Sequence, residues 1–332
     1  MGNCVNKSDE NNSSCWCSEQ QTYTHSLLFS TVYLVMFVVG STGNILLIRA
    51  LVCTKKQKRF FDCIFINLAV ANILCLLMLP LLATQSLHSD CHICGRSTCM
   101  ISSYVTFTAT YAATFCLLSL SINCWMAILY PIISQKERRQ STILVASFVI
   151  WIMAFLLAIP HAVFQKAKEG DGAVCTLDFN SLYVLSPMLE TSKNDSVPCF
   201  EAVFKLILTI ITFAIPVILM VIFLVSAVSV ARCSEKSKVE DFRARTLLTI
   251  VSALLVVFLI CWSPFHVIST WTAAMQLTLE PAPSSLCCIL SRIHQYVVHL
   301  SNIYAALNPF VYVAFDPRFR AECWATLTCR RC

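Results

Sequence analysis

Apolar residues in this chain come in runs far longer than any strand. Seven stretches hold ~20 mainly apolar residues each, enough to cross a bilayer as a helix. They lie near 26–50, 62–86, 99–131, 142–164, 201–231, 244–275 and 286–313. The third, fifth and sixth run on into amphipathic ends. Only helices satisfy their own backbone across hydrocarbon at this length, so the pattern predicts an all-α membrane bundle of seven spans. No internal repeat is visible, which counts against an inverted-repeat transporter.

The polar intervals predict the orientation. Lys and Arg gather in 53–62, 132–141, 232–245 and after Tyr312, which places these segments in the cytoplasm. The other loops are richer in acids, among them Asp9, Glu10, Glu19, Asp171, Asp178, Glu190, Asp195 and Glu201. The N-terminus is thus expected outside and the C-terminus inside a multi-pass plasma-membrane protein. Sequons at Asn6, Asn11, Asn12 and Asn194 fall on the outer side. Three parts follow: an outer segment 1–25, a spanning domain 26–313, and a cytoplasmic tail 314–332. Residues 1–25 lack the apolar run of a signal peptide, and Asn6 breaks the myristoylation pattern begun by Met-Gly-Asn-Cys.

Composition sharpens this reading. Of 332 residues, 57% are hydrophobic and 13% charged, which excludes disorder and disfavours a soluble domain. A net charge of +6 is too small to suggest nucleic acid. The 20 cysteines divide by compartment. Cys4, Cys15, Cys17, Cys91, Cys94, Cys99, Cys175, Cys199, Cys287 and Cys288 fall outside, where disulfides form. One C-x-x-C at Cys91–Cys94 without a second ligand pair is a weak zinc signal, and no metal or cofactor is expected. Cys323, Cys329 and Cys332 follow the last span and are palmitoylation candidates.

Motifs recur at matching depths. Gly43-Asn44 lies in the first span. Asn67-Leu68-Ala69-Val70-Ala71, Asn72 and Pro80 lie in the second, and Trp151 and Pro160 in the fourth. The fifth carries Pro216; the sixth carries Phe258 and Cys261-Trp262-Ser263-Pro264; the seventh ends Asn308-Pro309-Phe310-Val311-Tyr312. In this order they resemble the rhodopsin-like (class A) G protein-coupled receptors over about residues 26–325. Within that class, Pro80, the short basic loop 232–243 and the outer cysteines are similar to chemokine receptors.

Prolines at 160, 216, 264 and 309 each remove a helical hydrogen bond and give the two halves of a span separate freedom. Trp262 above Phe258 could relay ligand contact; the bland alternative is a packed aromatic. Asn44, Asn72 and Asn308 are polar at membrane depth and should pair inside the bundle. Phe315, Phe319, Cys323 and Leu327 recur every four residues, as in an amphipathic eighth helix on the membrane face.

The resemblance implies further roles. Cys99 with Cys175 is the first disulfide choice. It would tie a β-hairpin turning at Gly170-Asp171-Gly172 to the third span. Cys15 or Cys17 with Cys287 or Cys288 is the second choice. Pocket candidates are Tyr104, Phe107, Tyr111, Lys205, Trp262, His266, Trp271, His294 and Gln295. Switch candidates are Asn44, Asn72, Asn123, Cys124, Trp125, Pro216, Phe258, Trp262, Pro264, Asn308, Pro309 and Tyr312. Coupling candidates are Cys124, Trp125, Arg139, Arg232, Arg245 and Arg318. The implied partners are a chemokine, CXC-type favoured, and a heterotrimeric G protein, Gi-type favoured, with arrestin a further candidate.

Four departures from the resemblance matter. The family's Asp-Arg-Tyr is Asn123-Cys124-Trp125, and Cys124 has neither the charge nor the reach of an arginine. The second-span aspartate is Asn72, and Ala113 and Tyr304 replace sodium-site partners, so that inactive-state stabiliser is expected to be weak or absent. Val298 replaces an acidic ligand anchor, and Leu82 a tryptophan. Tyr23 lacks an acidic, sulfatable setting. Losing inactive-state constraints predicts high ligand-independent activity; losing the arginine equally predicts a silent scavenger or decoy. This erosion, with the tail Cys329-Arg-Arg-Cys332, resembles herpesvirus-encoded chemokine-receptor homologues. A channel would need ionisable residues along a deep path, and the deep spans hold almost none. No nucleophile–base pair suggests an enzyme, and His161 and Cys116 read as packing residues, not catalysts.

Overall fold

The computed structural model describes residues 23–53, 60–87, 96–130, 140–168, 174–177, 196–233, 238–277 and 284–327. Ten α-helices, a π turn and a two-stranded hairpin occupy them. The helices are α1 (Tyr23–Cys53), α2 (Phe60–Leu77), α3 (Leu79–Leu87), α4 (Arg96–Leu129), α5 (Gln140–Val163), α6 (Ser196–Thr209), α7 (Ile215–Cys233), α8 (Lys238–Leu277), α9 (Ser284–Phe315) and α10 (Pro317–Leu327). Seven spans result, because α2 with α3 and α6 with α7 each form one broken helix.

Both breaks have a proline beside them. Pro80 cannot donate to Leu76, and the chain tightens at Met78, whose N–H bonds Cys75 O at 3.1 Å. Pro216 meets the same problem differently. Residues Ile210–Ala214 form a π turn, and the Ile215 N–H reaches back five residues to Ile210 O. The sequence predicts a plain kink at Pro216; the extra residue of the π turn absorbs the missing donor instead.

Helix α8 starts at Lys238, earlier than expected. Lys238, Glu240, Arg243, Ala244 and Leu247 are strong helix formers, so most of the basic segment read as a loop continues the sixth span. Cys287 and Cys288 likewise lie within α9, not in a loop. The four-residue stripe after the seventh span is divided: Phe315 ends α9, and α10 begins after Asp316. Within α10, Phe319 is buried edge-on against Tyr312 at 6.1 Å, while Trp324 is exposed.

The spans bury unequal shares of themselves. In the seventh, 56% of the central window is inside; in the fifth, 17%. Leu144, Phe148, Leu156, Ile218, Ile222 and Val225 point outward, as a lipid-facing surface requires. Helix α1 lies tight on α9. A methyl on Gly43 would stand 2.7 Å from Pro309 Cβ, so only glycine permits this approach.

The hairpin pairs β1 (Gln165–Lys168) with β2 (Val174–Leu177) in antiparallel register, Ala167 opposite Cys175. It packs against α4. Cys99, fully buried near the start of α4, is disulfide-bonded. The turn at Gly170–Gly172 lies outside the described residues.

Candidate functional site

The site is a column of aromatic and polar side chains that begins at the hairpin end of the bundle. There α4 and α5 meet through His161. Its ring stacks on Phe107 at 3.4 Å and shares a 2.7 Å hydrogen bond with the Tyr111 hydroxyl. Across the bundle, Phe213 of the π turn stacks on His266 at 4.1 Å. The π turn therefore aims a ring at α8. Phe265 links His266 to His294 of α9, with ring centroids 5.3 and 5.8 Å apart. Lys205 is ion-paired to Glu201, one turn earlier on α6, and both are partly buried. Tyr33 and His299 share a hydrogen bond between α1 and α9, with Phe29 stacked on His299 at 3.9 Å.

Below this level stands Trp262, buried, with Phe265 edge-on at 5.9 Å and Phe258 at 6.4 Å. Phe258 meets Tyr304 edge-on at 5.4 Å. A small cavity lies beside them, lined by Asn72, Cys75, Thr110, Ala113, Trp262 and Tyr304 among others. It has room for roughly one water molecule. None of its lining side chains carries a charge. The hydroxyls of Tyr304 and Tyr312 and the Asn308 amide are buried below it, so the column stays polar downward. Asn72 and Asn44 complete the middle layer. Asn72 donates to Asn44 Oδ1 at 3.1 Å, and Asn44 donates to Ala305 O at 3.1 Å.

The far end differs in character. Asn123 donates to Ser119 O of its own helix at 2.7 Å. Cys124 is 2% exposed, packed in the same core as Leu120, Val251 and Leu254. Trp125 turns to α7 and donates to Ser226 Oγ at 3.1 Å. Tyr312 meets Phe65 edge-on at 5.3 Å. Arg232 and Arg245 are exposed, and Arg245 reaches Ala231 O at 3.5 Å.

The structure thus gathers Phe107, Tyr111, Trp262, His266 and His294. It does not gather all the pocket candidates. Tyr104 leans on the fourth span, stacked with Phe155 at 6.4 Å. Trp271 stands 52% exposed on α8, because its position falls on the outward face of that helix. Gln295 is exposed as well; His294 is also exposed, and its ring contact with Phe265 is what ties it to the column. Sequence reasoning treated His161 as packing, counted Glu201 among the outer-loop acids, and missed Phe213 and Ser226. A lone histidine after Pro160 gave a weak signal; Phe213 and Ser226 gave none. Asn6, Asn11, Asn12, Cys17, Arg139, Asn194, Cys329 and Cys332 lie outside the described residues. Among the described residues no cluster of metal-binding groups occurs.

Residues 43–312 match the model of the 7 transmembrane receptor (rhodopsin family). The chain is 31% identical to apelin receptor A of Danio rerio, across 97% of this chain and 87% of that protein. It is 31% identical to the apelin receptor of Xenopus tropicalis, across 93% and 83%. It is 26% identical to somatostatin receptor type 5 of Rattus norvegicus, across 92% and 79%. None of these three is a chemokine or viral receptor by name.

Proposed function

The chain belongs to the rhodopsin family of seven-transmembrane receptors, and from that premise we propose a receptor for a peptide ligand with high ligand-independent activity. It is a G protein-coupled receptor and not an enzyme. The ligand enters at the hairpin end, which faces the cell exterior. The far end and residues 314–332 face the cytoplasm at the plasma membrane. The observation that carries the reading is the continuous run of rings from His294 and Phe265 through Trp262 to Phe258 and Tyr304. A ligand pressing on the upper rings shifts a packed column whose lower end reaches the coupling surface.

Ligand-independent activity follows from the uncharged middle layer and from a thiol at position 124. Asn72 offers a cation only an amide, and Cys124 makes no ion pair that would hold the resting state. Removing ~2–3 kcal/mol of such restraint moves a rare active state to substantial population. The G protein is of the Gi type in this proposal. Cys99 pairs with Cys175, and Cys17 with Cys287.

The relatives named for apelin and somatostatin favour a short peptide. A second reading, a CXC-type chemokine, draws on the acidic outer loops, which would steer a basic ligand. The test is ligand-free nucleotide exchange on Gi in membranes at matched surface expression, comparing wild type, mock and Cys124→Arg. Exchange well above mock in wild type supports the proposal. Exchange only in Cys124→Arg overturns the activity claim and favours a scavenger. Apelin, somatostatin and CXC and CC chemokines, run as a panel on the same membranes, separate the two ligand readings.

A further inference from the structure

Trp125 follows Cys124 in the last turns of α4, but the two side chains go different ways. Cys124 turns inward. Trp125 turns to α7, where its indole N–H donates to Ser226 Oγ at 3.1 Å. Its ring stands 5.3 Å from Phe223. Phe223 and Ser226 are three residues apart and form one ridge of α7, so a single side chain grips both. Tyr130 braces the indole edge-on at 5.6 Å. A directional bond and one ring contact therefore join α4 to α7 at the far end, with Tyr130 bracing the indole from the α4 side.

Helix α8 adds packing of another kind: its Ile250, Val251 and Leu254 are buried in the same apolar core as Cys124. Apolar faces can slide without giving up a hydrogen bond; the Trp125–Ser226 join cannot.

We propose that Trp125 is a positioning residue that locks α4 and α7 into one face at the cytoplasmic end of the bundle, against which a signalling partner docks. This rests on the coupling reading above. Trp125 takes no part in an ion pair; it acts through Ser226, by fixing where the cytoplasmic end of α7 stands. Directional anchoring thus stands one residue beyond Cys124.

The test uses the full receptor in membranes, in wild type or, should wild type be silent, in the Cys124→Arg background. Trp125→Phe keeps a ring and removes the donor. Ser226→Ala removes the acceptor, and Ser226→Thr keeps a hydroxyl. Nucleotide exchange on the G protein is read at matched surface expression. Each of the first two changes is expected to lower exchange about fivefold, the effect of one hydrogen bond. The double variant should be no worse than the poorer single, and Ser226→Thr should stay within about twofold of its parent. An active parent with unchanged single variants would overturn the lock alone. So would losses that multiply in the double variant, or losses that vanish once surface expression is matched. Silence in both parents would overturn the coupling reading itself.

Discussion

Asn72 donates its side-chain N–H to Asn44 Oδ1 at 3.1 Å, joining the second span to the first at mid-depth. Asn44 in turn donates to Gly40 O at 2.8 Å and Ala305 O at 3.1 Å, so one amide bridges three spans. Both residues are buried. Asn44→Ala removes the donor to two carbonyls and the acceptor that Asn72 uses. Interhelical bonds of this kind are worth about 0.6–2 kcal/mol each, and the stranded Asn72 amide adds to the loss. A melting temperature several degrees lower is expected in detergent, with a smaller drop for Asn72→Ala. Equal melting of Asn44→Ala and wild type would contradict this account.

The seam between the first and seventh spans has no spare volume. Gly43→Ala places a methyl 2.7 Å from Pro309 Cβ, and Gly40→Ala places one 2.9 Å from both Ala306 Cβ and Leu76 Cδ1. Backbone must shift in either case, at about 1–3 kcal/mol. Neither seam yields by a rotamer change: Gly40 faces the Ala306 Cα as well as its Cβ, and Gly43 faces a proline ring. Surface expression and thermal melting of both variants, each expected below wild type, check this.

Sodium should leave this receptor nearly indifferent. The cavity between Asn72, Ala113, Trp262 and Tyr304 offers a cation no carboxylate. Raising NaCl against choline chloride at constant ionic strength should leave ligand-free exchange unchanged. Asn72→Asp supplies a charge at the cavity wall, and sodium should then lower exchange. A wild type that already responds to sodium would show that the neutral lining binds the ion after all.

Replacing Trp262 should separate folding from relay. Its ring bridges Phe265 above and Phe258 below. Trp262→Leu keeps an apolar side chain but opens a gap between them, at about 2–4 kcal/mol. Surface expression should fall modestly, while the response to an activating peptide should fall at least tenfold. Parallel loss of both would indicate a packing residue only.

Cys124→Arg tests a different cost. Cys124 is packed among apolar side chains, and a guanidinium there must find a partner or move to solvent. Lower surface expression than Cys124→Ser is expected, by severalfold in cell-surface labelling.

The spans and their order were legible because runs of ~20 apolar residues have one physical solution in lipid. The inner polar residues were legible for the same reason: Asn44, Asn72 and Asn308 could not face hydrocarbon. Partners were another matter. Trp125 meets Ser226 and Tyr33 meets His299 only through the relative depth of separate helices, and no periodicity along the chain encodes that depth. The π turn at Ile210–Ala214 was hidden too, since a proline announces a missing donor but not how the backbone absorbs it. Trp271 shows the opposite error: its type suited a pocket, while its angular position on α8 decided the matter.

The 40 residues of α8 form one unbroken rod with Pro264 inside it. At 1.5 Å per residue the rod reaches about 20 Å from Pro264 to its hairpin end and about 39 Å to its other end. Turned as a rigid body about the proline, it would be a lever with arms near one to two, and a nudge of about 1 Å at the upper tip would become a sweep of about 2 Å at the lower one, in the opposite direction; bending at the proline would decouple the two arms. The mechanical advantage sits in the helix length alone, so shortening the lower arm by whole turns would reduce the stroke without touching the fulcrum.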